Sequence, residues 1–249
     1  MTLSWIEPDW PAPCRVRALS TTRCGGVSAG PFLSLNLGDH VGDDPAAVAE
    51  NRRRLAVVAG LPCEPAWLRQ VHGVNVVTLA PGTAGGAADA AIAREPGVVC
   101  AVLTADCLPV LFTNRQGSAV AAAHAGWRGL ADGILEAVIE HMGEAPSELL
   151  AWIGPGIGPA VFEVGPEVRE HFVAADSRSA DHFQPGTGDR YFADLPQLAR
   201  QRLSRVGVAT VYGGDRCTFD EKENFFSHRR DGRCGRMASL IWLSGTPSR

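Results

Sequence analysis

Cys107 and His124 stand near the two ends of "AVLTADCLPVLFTNRQGSAVAAAHAGWRG", residues 101–129, an apolar stretch that turns back on itself. Two β-rich runs, "LPVLFT" and "SAVAAAH", flank "NRQG", whose Asn and Gly suit a tight turn, so the stretch reads as a β-hairpin. With the turn centred on Arg115 and Gln116, Cys107 and His124 are equidistant from it. An antiparallel ladder then sets them directly opposite each other, with Cβ atoms about 4.5–5.5 Å apart. At that separation a thiolate and an imidazole can share one metal ion or one proton. The competing reading of Cys107 is a buried core thiol, the commonest fate of a free cysteine.

Two ligands rarely make a catalytic metal centre, and six other histidines could supply a third. His72, in "LRQVHGVNVV", sits where Gly73 breaks a strand-like apolar run and lets the backbone turn to aim a side chain. His40, in "LGDHVGDD", is the next candidate. His141, His171 and His182 lie in helical or polar surroundings that read as solvated, and His228, beside Arg229 and Arg230, suits an anion. Spacing alone does not choose among them.

The elements that must position these side chains follow from periodicity and caps. "DDPAAVAENRRRLAVVAG" predicts a helix with Asp44 as its cap, Pro45 in its first turn and Gly60 just past its end. Strands are predicted at 98–104, 108–113 and 118–124, and a helix at about 130–142 runs on into the strand "ELLAWIG". Further helices are predicted at 166–175 and, after a capping Asp194, at 195–206. "VATVYGG" and "RMASLIWL" read as buried strands, "GPGIGP" (154–159) as a tight loop whose amides could face an anion, and "APGTAGGAADA" (80–90) as the most flexible internal stretch. Strands and helices alternate without regular βαβ spacing around a central hairpin. The expected fold is α/β, or mixed α+β, a single-domain layered sandwich over residues 1–249 with a mixed β-sheet core.

Composition narrows the function classes. The 249 residues carry a net charge of -4, which lacks the broad basic footprint of a nucleic-acid binder. No apolar run reaches membrane-spanning length, and "MTLSWIEPDWPAP" lacks the basic and apolar regions of a secretory signal, so a cytoplasmic protein is expected. Seven cysteines, an odd set with no C-x-x-C pair, suit free thiols. Lys222 is the only lysine, which disfavours P-loop and Schiff-base chemistry, and "GPGIGP" lacks the dinucleotide-binding spacing.

The ordered set "TTRCGGVSAGPFLSLNLGDHVGDDP", "NRRRL", "RQVHG", "TADCLPVLF", "AAHAGWRG", "IGPGIGPAVFEVGPEV" and "FFSHRRDGRCGRMASLIWL" lies within residues 18–243. It resembles the bacterial laccase-domain, or polyphenol oxidase, family, whose members are also described as purine nucleoside phosphorylases and peptidoglycan editing factors. The resemblance implies an α/β sandwich and a site built from His72, Cys107 and His124. Two imidazoles and one thiolate suit Zn2+ with a fourth position left open, as catalytic zinc requires. Asp106 is then expected to orient a ligand histidine from behind. The implied reactions are phosphorolysis of adenosine, inosine and methylthioadenosine to a sugar 1-phosphate and free base, with adenosine deamination beside them.

Phosphorolysis needs a dianion held at the anomeric carbon, so arginines are expected nearby. Arg52, Arg128, Arg229 and Arg230 all fall inside the family motifs, with Arg128 favoured because it follows His124 by four residues; Trp127 is a candidate to pack against a base. His228 replaces the tyrosine common in the family's motif, and Leu130 a threonine, which bears on substrate preference. Two other chemistries are expected as alternatives: a hydrolase or precursor-editing enzyme with Cys107 as nucleophile and His124 as base, and a copper-dependent polyphenol oxidase. The second is disfavoured by only seven histidines and no H-x-H pair, which leaves copper a lesser expectation than zinc. The expected partners are a purine nucleoside and phosphate, with no nucleic acid or membrane, on a monomer or weak oligomer.

Overall fold

The structure is a computed structural model in which residues 2–245 are described. Its centre is the strand Val99–Thr104, every residue of which is buried. Successive side chains point to opposite faces. Val99, Ala101 and Leu103 therefore pack with Leu19, Leu35, Leu37 and with Leu55 of the helix Pro45–Ala59, whereas Cys100 and Val102 meet Leu111, Val120 and Ala122 of a second sheet. On that second sheet Val110, Phe112, Ala121 and Ala123 point the other way, into a core shared with the helices Ile134–Met142, Pro166–Ala175 and Leu195–Arg205. The result is four layers: helix, sheet, sheet, helices. Burial on both faces explains why these strands read as continuous apolar runs.

The five-stranded sheet runs Trp5–Ile6, Val16–Thr21, Met237–Leu243, Val99–Thr104, Ala66–Trp67, antiparallel except for its last pair. The six-stranded sheet runs Thr210–Gly213, Leu149–Ile153, Leu108–Asn114, Val120–Ala125, Ala90–Ala93, Val76–Leu79, with parallel pairs at both edges. A small sheet of Glu163–Val164, Tyr191–Ala193 and Phe183–Pro185 lies beside it in sequence. The mixed α/β architecture is the one expected.

Local chemistry explains where elements begin and end. The Asp44 carboxylate accepts from the Ala46 amide at 3.0 Å, Pro45 opens the helix and Gly60 closes it at φ 61. The helix expected at 130–142 is two helices, Trp127–Asp132 and Ile134–Met142, broken where Gly133 adopts φ 103.

The hairpin differs from expectation in register. Pro109, not Cys107, lies opposite His124, and Thr113 pairs with Val120. The connection is longer than a two-residue turn because the Asn114 side-chain oxygen accepts from the amides of Ser118 and Ala119 and stabilises an extended loop. The slip is two residues, and side chains alternate with period two, so Cys107 keeps the same face as His124.

Candidate functional site

The chain leaves the five-stranded sheet at Thr104 and enters the six-stranded sheet at Leu108, so Cys107 sits in the bend that joins the two. Asp106 makes that bend with φ 88, and His72 adopts φ 61 in a loop on the opposite side of the site. They are the only non-glycine residues with positive φ among those described. Such conformations persist where the surroundings enforce them.

The enforcing residue at His72 is Asp89. Its carboxylate is buried and accepts from the backbone amides of Val71 (3.2 Å), His72 (2.9 Å) and Gly73 (2.8 Å), pinning the loop that carries His72. It also takes the Nδ1–H of His124 at 2.9 Å. The antiparallel register that pairs Ala90 with Ala123 brings Asp89 opposite His124, and the His124 amide donates to the Asp89 carbonyl at 2.7 Å. One buried carboxylate thus positions both histidines and leaves His124 Nε2 free to ligate. Burial pushes the Asp89 pKa up, but the bonds from His124 and Gly73 outweigh it and hold the group below its ordinary value.

His72, Cys107 and His124 offer one donor atom each, all within 4.8 Å of one another. The two imidazoles meet edge to face, centroids 4.7 Å apart. Gly126 is required here: a Cβ on it would lie 3.0 Å from Cys107 Sγ, 3.1 Å from His72 Cδ2 and 3.5 Å from His124 Nε2. Burial raises the Cys107 pKa, yet the charge on His124 and hydrogen bonds from both histidines bring it down to about 6. His124 responds oppositely: burial lowers it, while the Cys107 thiolate and Asp89 raise it to about 9. The pair therefore rests as thiolate and imidazolium near neutrality.

Asp106 does not play the part expected of it. Its carboxylate is taken up by the Thr218 hydroxyl and the Arg229 amide, both at 2.7 Å, and the carboxylate on His124 is Asp89. Beside Cys107 a pocket of about 130 Å³ is walled by Trp127, Ile157, Phe162 and Leu195, with Asp106, His228 and Arg229 as its charged or titratable groups.

Of the four arginines singled out, only Arg229 lines this pocket. Its guanidinium donates once, to the Glu163 carbonyl, and lies 5.3 Å from the Phe162 ring centre. Arg128 is exposed and stacks on Trp127, a pocket wall, at 4.4 Å. Arg230 is structural, its donors spent on the carbonyls of Thr218, Phe219 and Phe225 and on Asp231. Arg52 lies elsewhere, bonded to the Leu37 carbonyl and stacked on Trp67, in a cleft with Asp39 and Glu64.

His40 is exposed beside Asp39, His171 bonds Asp132 at 2.8 Å, and His141 bonds the Ala137 carbonyl. His228 donates its Nδ1–H to the Gly232 carbonyl, so Nε2 is the polar atom it has left for the pocket. The "GPGIGP" loop has no amides to spare: those of Gly154, Gly156, Ile157 and Gly158 go to Pro109, Arg216, Asp106 and Cys217.

Comparison with known proteins places this geometry in context. Residues 17–244 match the family described as multi-copper polyphenol oxidoreductase laccase. The chain is 56% identical over 239 residues to the purine nucleoside phosphorylase YfiH of Escherichia coli, covering 96% of this chain and 98% of that one. It is equally identical over 241 residues to the purine nucleoside phosphorylase PA4543 of Pseudomonas aeruginosa, with the same coverage. Among solved structures, Neisseria meningitidis protein NMB0706 superposes with a TM-score of 0.93 at 51% identity, covering 97% of this chain and 99% of that chain. YlmD from Geobacillus stearothermophilus superposes with a TM-score of 0.91 at 36% identity, covering 97% and 96%.

Proposed function

Since the chain belongs to the multi-copper polyphenol oxidoreductase laccase family, with relatives named purine nucleoside phosphorylase, we propose that it is a zinc-dependent purine nucleoside phosphorylase. Its substrates on this reading are adenosine, inosine and methylthioadenosine, and it deaminates adenosine as a second reaction. The observation that carries the proposal is the union of three metal donors with an apolar-walled pocket edged by Arg229.

The donor set fits zinc. Tetrahedral bonds of about 2.0–2.3 Å need donors roughly 3.5 Å apart, and these three lie within 4.8 Å, with Asp89 holding the Nδ1–H of His124 so that Nε2 is the atom left to ligate once its proton is lost. Bound by His72, Cys107 and His124, the ion would supply Lewis acidity toward a substrate atom or a water in its open position. Copper, and with it phenol oxidation, fits less well: multicopper chemistry needs several separate sites, and the described residues gather one such cluster.

The rest of the work falls to the chain's own residues. Trp127, Ile157, Phe162 and Leu195 sandwich a planar base and exclude water from it. Arg229, with Arg128 at the Trp127 edge, balances a phosphate dianion. A phosphate oxygen then bonds the anomeric carbon as the carbon–nitrogen bond to the base breaks, and the departing purine takes a proton. That proton balances against the one the hydrogen phosphate dianion loses as it becomes the sugar 1-phosphate, because His124 gives up its own Nε2 proton when it ligates the metal, while Asp89 keeps Nδ1–H in place.

The depressed Cys107 and raised His124 favour one second reading, a hydrolase or precursor-editing enzyme with Cys107 as nucleophile. A nucleoside panel incubated with metal-analysed protein, with and without phosphate, separates the two. Base and sugar 1-phosphate formed only with phosphate support phosphorolysis. Free ribose at an equal rate without phosphate, or a covalent Cys107 adduct, supports hydrolysis.

A further inference from the structure

The short helix His228–Asp231 carries His228 and Arg229 into the pocket, and a helix start leaves amides in need of partners. Ser227, its N-cap, accepts from the Arg230 amide. The Arg229 amide is satisfied from 123 residues away, by Asp106 Oδ2 at 2.7 Å. Asp106 is buried, its other carboxylate oxygen accepts from Thr218 Oγ1 at 2.7 Å, and its carbonyl accepts from the Ile157 amide at 2.8 Å. Its left-handed backbone makes the bend that presents Cys107. A single residue is therefore tied to the Cys107 bend, the Ile157 wall, the Thr218 loop and the Arg229 helix.

We infer that Asp106 is the positioning residue of the anion-binding edge: it clamps Arg229 at a fixed distance from the Cys107 bend, so that phosphate is held in register with the metal donors. The clamp is a charge-assisted bond, which is shorter and stronger than a neutral one. Asn in its place can offer its oxygen to the Arg229 amide and its N–H to the Thr218 hydroxyl, which accepts as well as donates, so it removes the charge and keeps the contact, whereas Gly removes the contact itself. This inference rests on phosphorolysis, because inorganic phosphate is the anion that Arg229 is taken to hold.

The test is calorimetric titration of zinc-loaded protein with inorganic phosphate, for wild type, Asp106→Asn, Arg229→Ala, the double variant, Asp106→Gly and Thr218→Val. Glycine tolerates φ 88, so Asp106→Gly removes the carboxylate without demanding a strained backbone from a bulkier residue. Asp106→Gly should weaken phosphate binding about 5- to 30-fold, the scale of one charge-assisted hydrogen bond, and Asp106→Asn by less, with zinc content unchanged in both. Arg229→Ala should weaken it as much or more, and the double variant should be no weaker than Arg229→Ala alone, because both changes remove the same contact.

In turnover the loss should appear in the phosphate KM with kcat held within about threefold. Thr218→Val, which breaks the other Asp106 bond, should leave phosphate affinity alone. Additive losses, or an Asp106→Gly variant that binds phosphate like wild type, overturn the clamp while leaving phosphorolysis intact. Wild-type protein that binds no phosphate and releases base equally without it overturns both.

Discussion

Asp89→Asn should cripple the site more than any other change that leaves its shape intact. The native carboxylate is wholly buried and accepts four separate donors: His124 Nδ1–H and the amides of Val71, His72 and Gly73. Hydrogen bonds to a charged acceptor contribute about 1.5–3 kcal/mol each, and an unsatisfied buried donor costs about 1–3 kcal/mol. Asn keeps one oxygen and turns an N–H toward a donor, so at least one bond becomes a donor–donor clash and the others lose their charge. A net destabilisation of about 2–4 kcal/mol follows, which lowers Tm by roughly 4–16 °C for a chain of this size. The same change frees the His124 tautomer and the His72 loop, which should weaken zinc 10- to 100-fold, at the scale of about 10–100 typical for residues that orient a ligand. Scanning calorimetry and chelator competition read the two effects. Wild-type zinc affinity and Tm in Asp89→Asn would refute the role given to this carboxylate.

In metal-free protein the Cys107 thiolate forms above its pKa, so its alkylation rate should rise through a midpoint near pH 6, well below the ordinary thiol at about 8.5. Zinc should suppress the reaction, and His124→Ala should move the midpoint upward by removing the charge that lowers it. Gly126→Ala should lose at least about tenfold in zinc affinity, since its methyl lands 3.0 Å from Cys107 Sγ and 3.1 Å from His72 Cδ2, read by the same chelator competition. Arg230→Met should cost about 2–4 kcal/mol in urea unfolding, because three carbonyls and Asp231 lose their donor.

What the sequence makes legible is what local chemistry determines. The Pro45–Ala59 helix carries its cap, its proline and its closing glycine in plain view, and Pro166–Ala175 and Leu195–Arg205 are equally explicit. The Cys107–His124 proximity is legible for a weaker reason: a two-residue error in register preserves the face, though not the partner. Asp89 is not legible as a site residue, because "APGTAGGAADA" advertises glycine flexibility while its last residues enter a buried strand. The one available signal is a charged residue inside the otherwise apolar "AADAAIA", which must find a partner once buried. The roles of Arg229 and Arg230 also escape spacing, since adjacent arginines on one short helix diverge, one to the pocket and one to backbone carbonyls. That distinction is made by tertiary contacts with Asp106, Thr218 and Phe225.

The most direct measurement of the central claim is zinc per chain, by elemental analysis, beside phosphate-dependent release of hypoxanthine from inosine, for wild type, His72→Ala, Cys107→Ala and His124→Ala. Circular dichroism confirms that each stays folded, as a chain with so large a core should without its metal. The expected result is about one zinc and phosphate-dependent turnover in wild type, with both largely lost in all three variants. A Cys107→Ala protein that holds as much zinc as wild type, or wild type that turns over inosine while holding none, would contradict it.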